Sequence, residues 1–381
     1  MFWKYTLFES KLALHNRKNW VIALFFLLIF TLLFMYTTNE HPPSSLYDQK
    51  VAEAKELEAT FHHLDAVRFD DEQAAEVYDF VTQQASLINM QRWYIGKGDD
   101  PEQYIDDGLT VNELRLQVHE LGNTGIPKHY IKPKAEILKE SAILQFVKQH
   151  DLSLDSDSFI PSDMIENAFR TISGLLFFIV LLITGSEMLT FEQRHRSIFN
   201  GIPIPFMQKI ASKILIHFIW ISICLIIGFF IGLIYVEHQW GALAFQFPVL
   251  IYLNGDYMAV SIAQYSVYMF LALFMIMLIV LLGAILCNML LKHAFATILT
   301  GVAVFLIPHL MILGGWKIPI LSTISYLDFA KILDGDIATV VSPSMDFING
   351  YLWMAFVLVI LVGMIYTLHK RSYGRSRVKT L

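Results

Sequence analysis

Few residues in this chain have the type and spacing for chemistry. Asp99, Asp100, Asp106 and Asp107 flank Gly98 and Gly108, the composition of a calcium loop at first sight. Calcium loops alternate their ligands along the chain, and this run lacks that alternation and is interrupted by Pro101, so a solvated acidic turn is expected. His62 and His63 stand near Asp65, but adjacent histidines on a helix point to different faces, so they read as a surface pair and no metal site is expected. Glu187, His217 and His309 fall within or beside apolar stretches, where an ionisable group is costly and marks an intramembrane polar candidate. Glu187 and His217 are close to span ends, and His309 follows Pro308, where a freed backbone carbonyl can accept its proton. His-Glu-x-x-His and Gly-x-Ser-x-Gly are both missing, so no catalytic residues are expected and the chain is not read as an enzyme.

The elements that carry these residues are those of a membrane protein. The 381 residues are 55% hydrophobic and only 16% charged, against about 25% charged in a soluble domain. Asp, Glu, Lys and Arg are absent from 20–39, from 214–236 and from 347–368. Each run satisfies the roughly 20 residues a helix needs to cross about 30 Å of hydrocarbon, and none alternates like a barrel strand. The expected fold class is therefore an all-α polytopic membrane protein of about six transmembrane helices: 19–38, 170–190, 213–236, 266–291, 294–314 and 349–369. Residues 257–291 form a long uncharged stretch, and its outer part, with Pro248, Asn254 and Gly255 upstream, is expected to be a surface or re-entrant helix.

Charge sets the orientation. Lys4, Lys11, Arg17 and Lys18 precede the first span, Arg194, Arg196, Lys209 and Lys213 follow the second, and Lys370 and Arg371 open the basic tail 370–381. Acids dominate the other side, so both termini are expected in the cytoplasm of a multi-pass plasma-membrane protein, with a bacterial setting implied by short loops and the lack of disulfides. The first span is longer than a signal-peptide core and lacks a small-x-small site, which makes it an anchor. Before it, Trp3, Leu7 and Leu14 recur with Phe8 and Leu12 nearby, predicting a helix over 1–18 lying in the interface.

Residues 39–168 hold 25 of the 34 acids and 11 of the bases, a net of −14, and are expected as an acidic helical extracytoplasmic domain. Leu46, Leu57, Phe61 and Leu64 share a helical face, Thr110-x-x-Glu113 reads as a capping box ahead of Val111, Leu114, Val118 and Leu121, and Pro133 opens another helix. An acidic excursion beside a basic membrane part argues against nucleic acid as a partner.

The inner loop 191–212 reads Phe-Glu-Gln-Arg-His-Arg-Ser-Ile-Phe-Asn-Gly-Ile-Pro-Ile-Pro from Phe191 to Pro205. Physically it is a short polar-then-apolar helix, ended by Gly201, Pro203 and Pro205, suited to docking into a groove on a cytosolic partner. It resembles the coupling loop of ABC exporter permeases of the second type, which include drug, lantibiotic and sodium-efflux exporters. Glu192 matches that family's glutamate, Ser197 stands at its threonine and Pro203-Ile204 at its stop, while Arg196 replaces its glycine and Phe199 a common second glutamate. The order of an interfacial helix, one span, a large outer domain and five further spans is similar as well, with 315–348 standing where those permeases have an outer or re-entrant hairpin.

The resemblance implies ATPase coupling through Glu192, Arg194, Arg196, Ile198, Phe199, Pro203 and Pro205. The chain has no Gly-x-x-x-x-Gly-Lys-[Ser/Thr] loop, so it would bind no cofactor, and ATP and Mg would sit in a separate cytosolic ABC ATPase. A second permease copy or paralogue and membrane lipids complete the implied partners. The alternatives are a membrane sensor or force-transmitting subunit with a ligand-binding outer domain, and an ion-coupled secondary carrier, which several midplane charges would favour.

Overall fold

The computed structural model describes residues 1–40, 44–67, 69, 71–98, 100–189, 192, 203–240, 245–316 and 323–378. The chain is nearly all helix. Two helices open it, α1 (Phe2–His15) and α2 (Arg17–Glu40), separated by an elbow at Asn16. Asn16 leaves the helical region, at φ −83° and ψ 112°, and its side chain accepts from the Lys18 N–H at 3.0 Å, so one residue ends α1 and caps α2.

A helical subdomain follows, built from α3 (Leu46–Val67), α4 (Glu72–Lys97), α5 (Pro101–Glu120) and α6 (Lys134–Gln149). The expected apolar face of α3 is inward, with Leu64 fully buried, and α6 begins behind Pro133 as expected. Gly98 ends α4 in the left-handed region at φ 65°, and Asp100 accepts from the Gln103 N–H with Pro101 in the first turn of α5. That capping is the role the structure gives the acidic run; Asp106 and Asp107 lie inside α5, and Asp99 is outside the described residues. The capping box at Thr110 is a correction. Helix α5 runs straight through it, and the Thr110 hydroxyl donates back to the Asp106 carbonyl at 2.9 Å, because Pro101 had already begun the helix.

The apolar bundle consists of α2, the pair α7 (Ile160–Ile172) and α8 (Leu175–Ser186), α9 (Phe206–Trp240), α10 (Ile262–Leu291), α11 (Ala294–Leu313) and α14 (Phe347–Val378). By length and hydropathy four helices are able to cross a membrane: α2, α9, α10 and α14. The pair α7–α8, bent by 44° at Ser173-Gly174, makes a fifth if it is one span. In α11 the apolar stretch Ala294–Ile307 is shorter than a full span. The element expected at 170–190 therefore starts ten residues earlier. Its first half, α7, buries Met164, Ile165, Ala168, Phe169 and Ile172 on one side and carries Asp163, Glu166 and Arg170 on the other.

Two further segments depart from expectation. Between α9 and α10 lies an antiparallel hairpin, β1 (Pro248–Leu253) and β2 (Asp256–Ser261), paired from Pro248–Ser261 to Leu253–Asp256. A surface or re-entrant helix was expected there. Asn254 and Gly255 both take positive φ, 54° and 97°, the two-residue turn that joins strands, and helix α10 starts only after the Ser261–Gln264 capping box. The segment after α11 is a 3-10 turn at Thr323–Leu327 followed by two five-residue helices, α12 (Phe329–Leu333) and α13 (Asp336–Val340).

Packing centres on α9 against α2. Phe30 meets Phe229 with ring centroids 5.1 Å apart and Phe169 at 5.4 Å, and Phe229 meets Phe270 at 5.1 Å, so edge-to-face rings tie α2, α7, α9 and α10 together. Glycine makes the approach possible. A Cβ on Gly228 would lie 2.2 Å from the Phe26 carbonyl oxygen, and one on Gly232 would lie 2.8 Å from the Phe34 ring; this is the small-xxx-small pattern of close membrane helices. Gly228→Ala is expected to lower stability by about 1–3 kcal/mol, the cost of overpacking. Gly283→Ala, where a Cβ meets nothing within 4 Å, should leave it unchanged, and thermal unfolding in detergent micelles compares the two.

Candidate functional site

One end of the bundle gathers charge where the segment expected as the loop 191–212 enters α9, which starts at Phe206, seven residues before the span expected from 213. Helix α1 lies with Trp3 and Leu7 outward, 70% and 64% exposed, and turns Tyr5 and Glu9 inward against α9. That is the reverse of a helix on a soluble core, and it suits a helix whose apolar face meets lipid. Lys213, near the start of α9, donates to Glu9 Oε1 at 2.8 Å and pairs with Glu192 at 3.3 Å. The Tyr5 hydroxyl lies 2.5 Å from Glu9 and 3.1 Å from Glu192, and the Ser212 hydroxyl donates to Thr6 at 3.0 Å. Burial and the hydrogen bond to Glu9 hold the Tyr5 phenol in its protonated form, far above the usual tyrosine range.

Three charges share this space: two carboxylates and one ammonium, with side chains 15% exposed or less. Lys213 is the member the set cannot lose, because without its ammonium both carboxylates are left buried and uncompensated. Next to it, Lys18 pairs with Glu187 at 2.7 Å and donates to the Ile183 carbonyl at 3.0 Å, fastening α2 to the end of α8. On the far side of the loop, Pro203 and Pro205 lead into α9, and Phe206 stacks on His369 of α14 with ring centroids 4.2 Å apart.

The sequence candidates thus separate. Glu192 is brought into the charge cluster and faces α1 and α9, and Glu187 is brought to Lys18. His217 folds back on its own helix, its Nδ1–H donating to the Lys213 carbonyl at 2.9 Å. Arg194, Arg196, Ile198 and Phe199 lie outside the described residues, as does the side chain of His309. Tyr5, Glu9 and Lys213 were missed as a group, although Glu9 is the one acid before the first span and stands four residues after Tyr5.

Two more charge clusters lie away from this one. In the helical subdomain, Arg115 of α5 meets Glu53 of α3 in a close ion pair and Glu140 of α6 at 3.1 Å, and Lys50 bridges the same two acids at 2.7 and 3.1 Å. Burial alone would raise the Glu140 carboxyl, but Lys50, Lys132 and Arg115 overcome it and hold the group far below the usual carboxylate range. Where the subdomain meets the bundle, Arg170 of α7 pairs with Asp336 and lies 3.7 Å from Asp334. Both Asp334 oxygens are buried without a hydrogen bond, and so is the hydroxyl of Tyr265. Burial, then the nearby Glu166 charge, push the Asp334 carboxyl up to about 8. Among the described residues no group of three His, Cys, Asp or Glu side chains is arranged to hold a metal ion. Comparisons with protein-family models, curated proteins and solved structures returned no match.

Thr6→Cys with Ser212→Cys should cross-link readily, since the hydroxyls they replace are 3.0 Å apart. Adding Lys213→Met should reduce that cross-link and destabilise the protein by about 3–5 kcal/mol, read by gel shift and by unfolding in detergent. At the Arg170 cluster the folded chain keeps the Asp334 proton up to about pH 8, whereas the unfolded chain releases it near pH 4. The unfolded state therefore binds fewer protons in that window, so this residue makes stability fall as pH rises, by at most about 1.4 kcal/mol per pH unit. Asp334→Asn should flatten that slope in thermal melts between pH 4 and 8.

Proposed function

We propose that this chain is the permease subunit of an ATP-driven ABC exporter, with six spans, both termini in the cytoplasm and the helical subdomain outside a bacterial plasma membrane. In this reading α11 is the fifth span and α7–α8 the second. A separate cytosolic ATPase supplies the ATP and Mg site, and a second permease copy or paralogue completes the translocation pathway. The chain performs no bond chemistry. Its cargo is a peptide, a drug-like molecule or an ion.

The observation that supports this most is the anchoring of the inner loop on both shoulders. Glu192 is held by Tyr5 and Lys213, and Phe206 stacks on His369. A loop on loose shoulders would absorb a push. One clamped to α1, α9 and α14 passes displacement to several helices at once, which is what coupling requires. Arg194 and Arg196 are the polar contacts to the ATPase and Ile198 and Phe199 its anchors, flanked by the Pro203 and Pro205 stop. Glu192 belongs to the shoulder and transmits the push.

The test is co-purification with a Walker-motif ATPase encoded beside this chain. Glu192→Ala combined with Phe199→Ala should cut ATPase association at least tenfold while membrane insertion stays intact. Phe199→Ala alone should account for most of that loss, because its side chain is the proposed anchor. Unchanged association in both variants would remove the coupling role from this loop.

A further inference from the structure

An open cavity of about 820 Å³ lies between α3, α4, α5 and α6 of the helical subdomain, the start of α7 and β1. That lies within the 300–1,000 Å³ range of small-molecule sites. Seven carboxylates and three bases line it, and the three bases, Lys50, Arg115 and Lys132, are bound to Glu53 and Glu140. The surplus is therefore negative.

Two of the remaining acids decide the sign of the guest. Asp163 and Glu166 line the cavity from α7, half-buried, and neither side chain has an ion pair or hydrogen bond among the described residues, although Arg170 and Lys139 are near enough to attract Glu166. A half-buried carboxylate without a partner keeps a proton or takes a cation. Two hydrogen-bonding groups also line the space unused: the Gln84 amide and the Tyr104 hydroxyl, on residues 4% and 2% exposed, make no side-chain hydrogen bond to any described residue. Leu57, Val81, Ile131 and Phe159 supply apolar wall between these polar points. A compact metal ion would leave most of this volume and its apolar wall unused.

We propose that this cavity binds a cationic amphiphile, an amine-bearing organic molecule or the basic end of a peptide, with its ammonium or guanidinium at Asp163 and Glu166 and its apolar part against the wall. The site lies on the first half of the bent α7–α8 pair, at whose other end Glu187 meets Lys18. The inference stands independently of the ATPase, because binding is read on this chain alone.

The experiment uses the full chain in lipid nanodiscs and three fluorescein-labelled probes: a short alkylamine, the hexapeptide Lys-Phe-Lys-Leu-Lys-Leu, and its glutamate-for-lysine counterpart. Saturable binding is expected for at least one cationic probe, weakening with added salt, and not for the acidic peptide. Which cation binds identifies the source of the ligand. Asp163→Asn with Glu166→Gln should weaken binding at least tenfold. Ile131→Trp, which narrows the cavity without changing charge, should do the same, so the result does not hinge on one variant folding. Absence of saturable cation binding, equal binding of the acidic peptide, or wild-type affinity in correctly folded variants would each overturn the proposal.

Discussion

The ammonium of Lys213 is the contact on which the packing of α1 against α9 depends. It sits between Glu9 and Glu192, 2.8 and 3.3 Å away, at the point where α9 leaves the loop and passes α1. An unpaired charge in so dry a place would be strongly unfavourable, so the three side chains hold one another and, with them, three chain segments. The exposure of Trp3 and Leu7 on α1 goes with this, since the polar side of that helix is satisfied by protein, with Tyr5 completing the set.

The same constraint governs the other charge clusters with a different outcome. Lys50, Arg115, Lys132, Glu53 and Glu140 compensate one another and lock α3, α5 and α6 into one unit. Asp334 is only partly compensated by Arg170 and lowers its cost by holding a proton, while Asp163 and Glu166 face open space. Buried charge that is fully paired builds structure. Buried charge left incomplete marks where a proton or a guest completes it.

Between the two ends runs the bent pair α7–α8. Its first half carries the acids that line the cavity and the arginine that holds α12 and α13, and its second half ends at Glu187 on Lys18. Close packing of Gly228 and Gly232 on α2, and the ring cluster around Phe30 and Phe229, leave little room for α2 and α9 to slide. The break at Ser173-Gly174 is the place in that path where a change of angle is least opposed, since the two halves share no continuous ladder of backbone bonds across it.

Sequence alone determined the apolar helices, because a run of 20 or more uncharged residues has few other stable states, and it located the charged loop, the acidic subdomain and the start of α6 at Pro133. It located Glu187 and Glu192 as well, but not their partners. Lys18 and Tyr5 lie more than 160 residues away along the chain, and no periodicity links positions so distant. The hairpin was legible in Asn254-Gly255, yet the surrounding apolar residues masked it, since strand and helix are hard to separate in a short apolar run. Likewise the capping box at Thr110 is a genuine local signal overruled by Asp100 and Pro101 ten residues earlier. Only the tertiary structure decided which buried charges are paired and which face a cavity. That difference depends on how helices from opposite ends of the chain are brought together, and it is what gives this molecule a closed charge cluster around Lys213 and an open one beside α7.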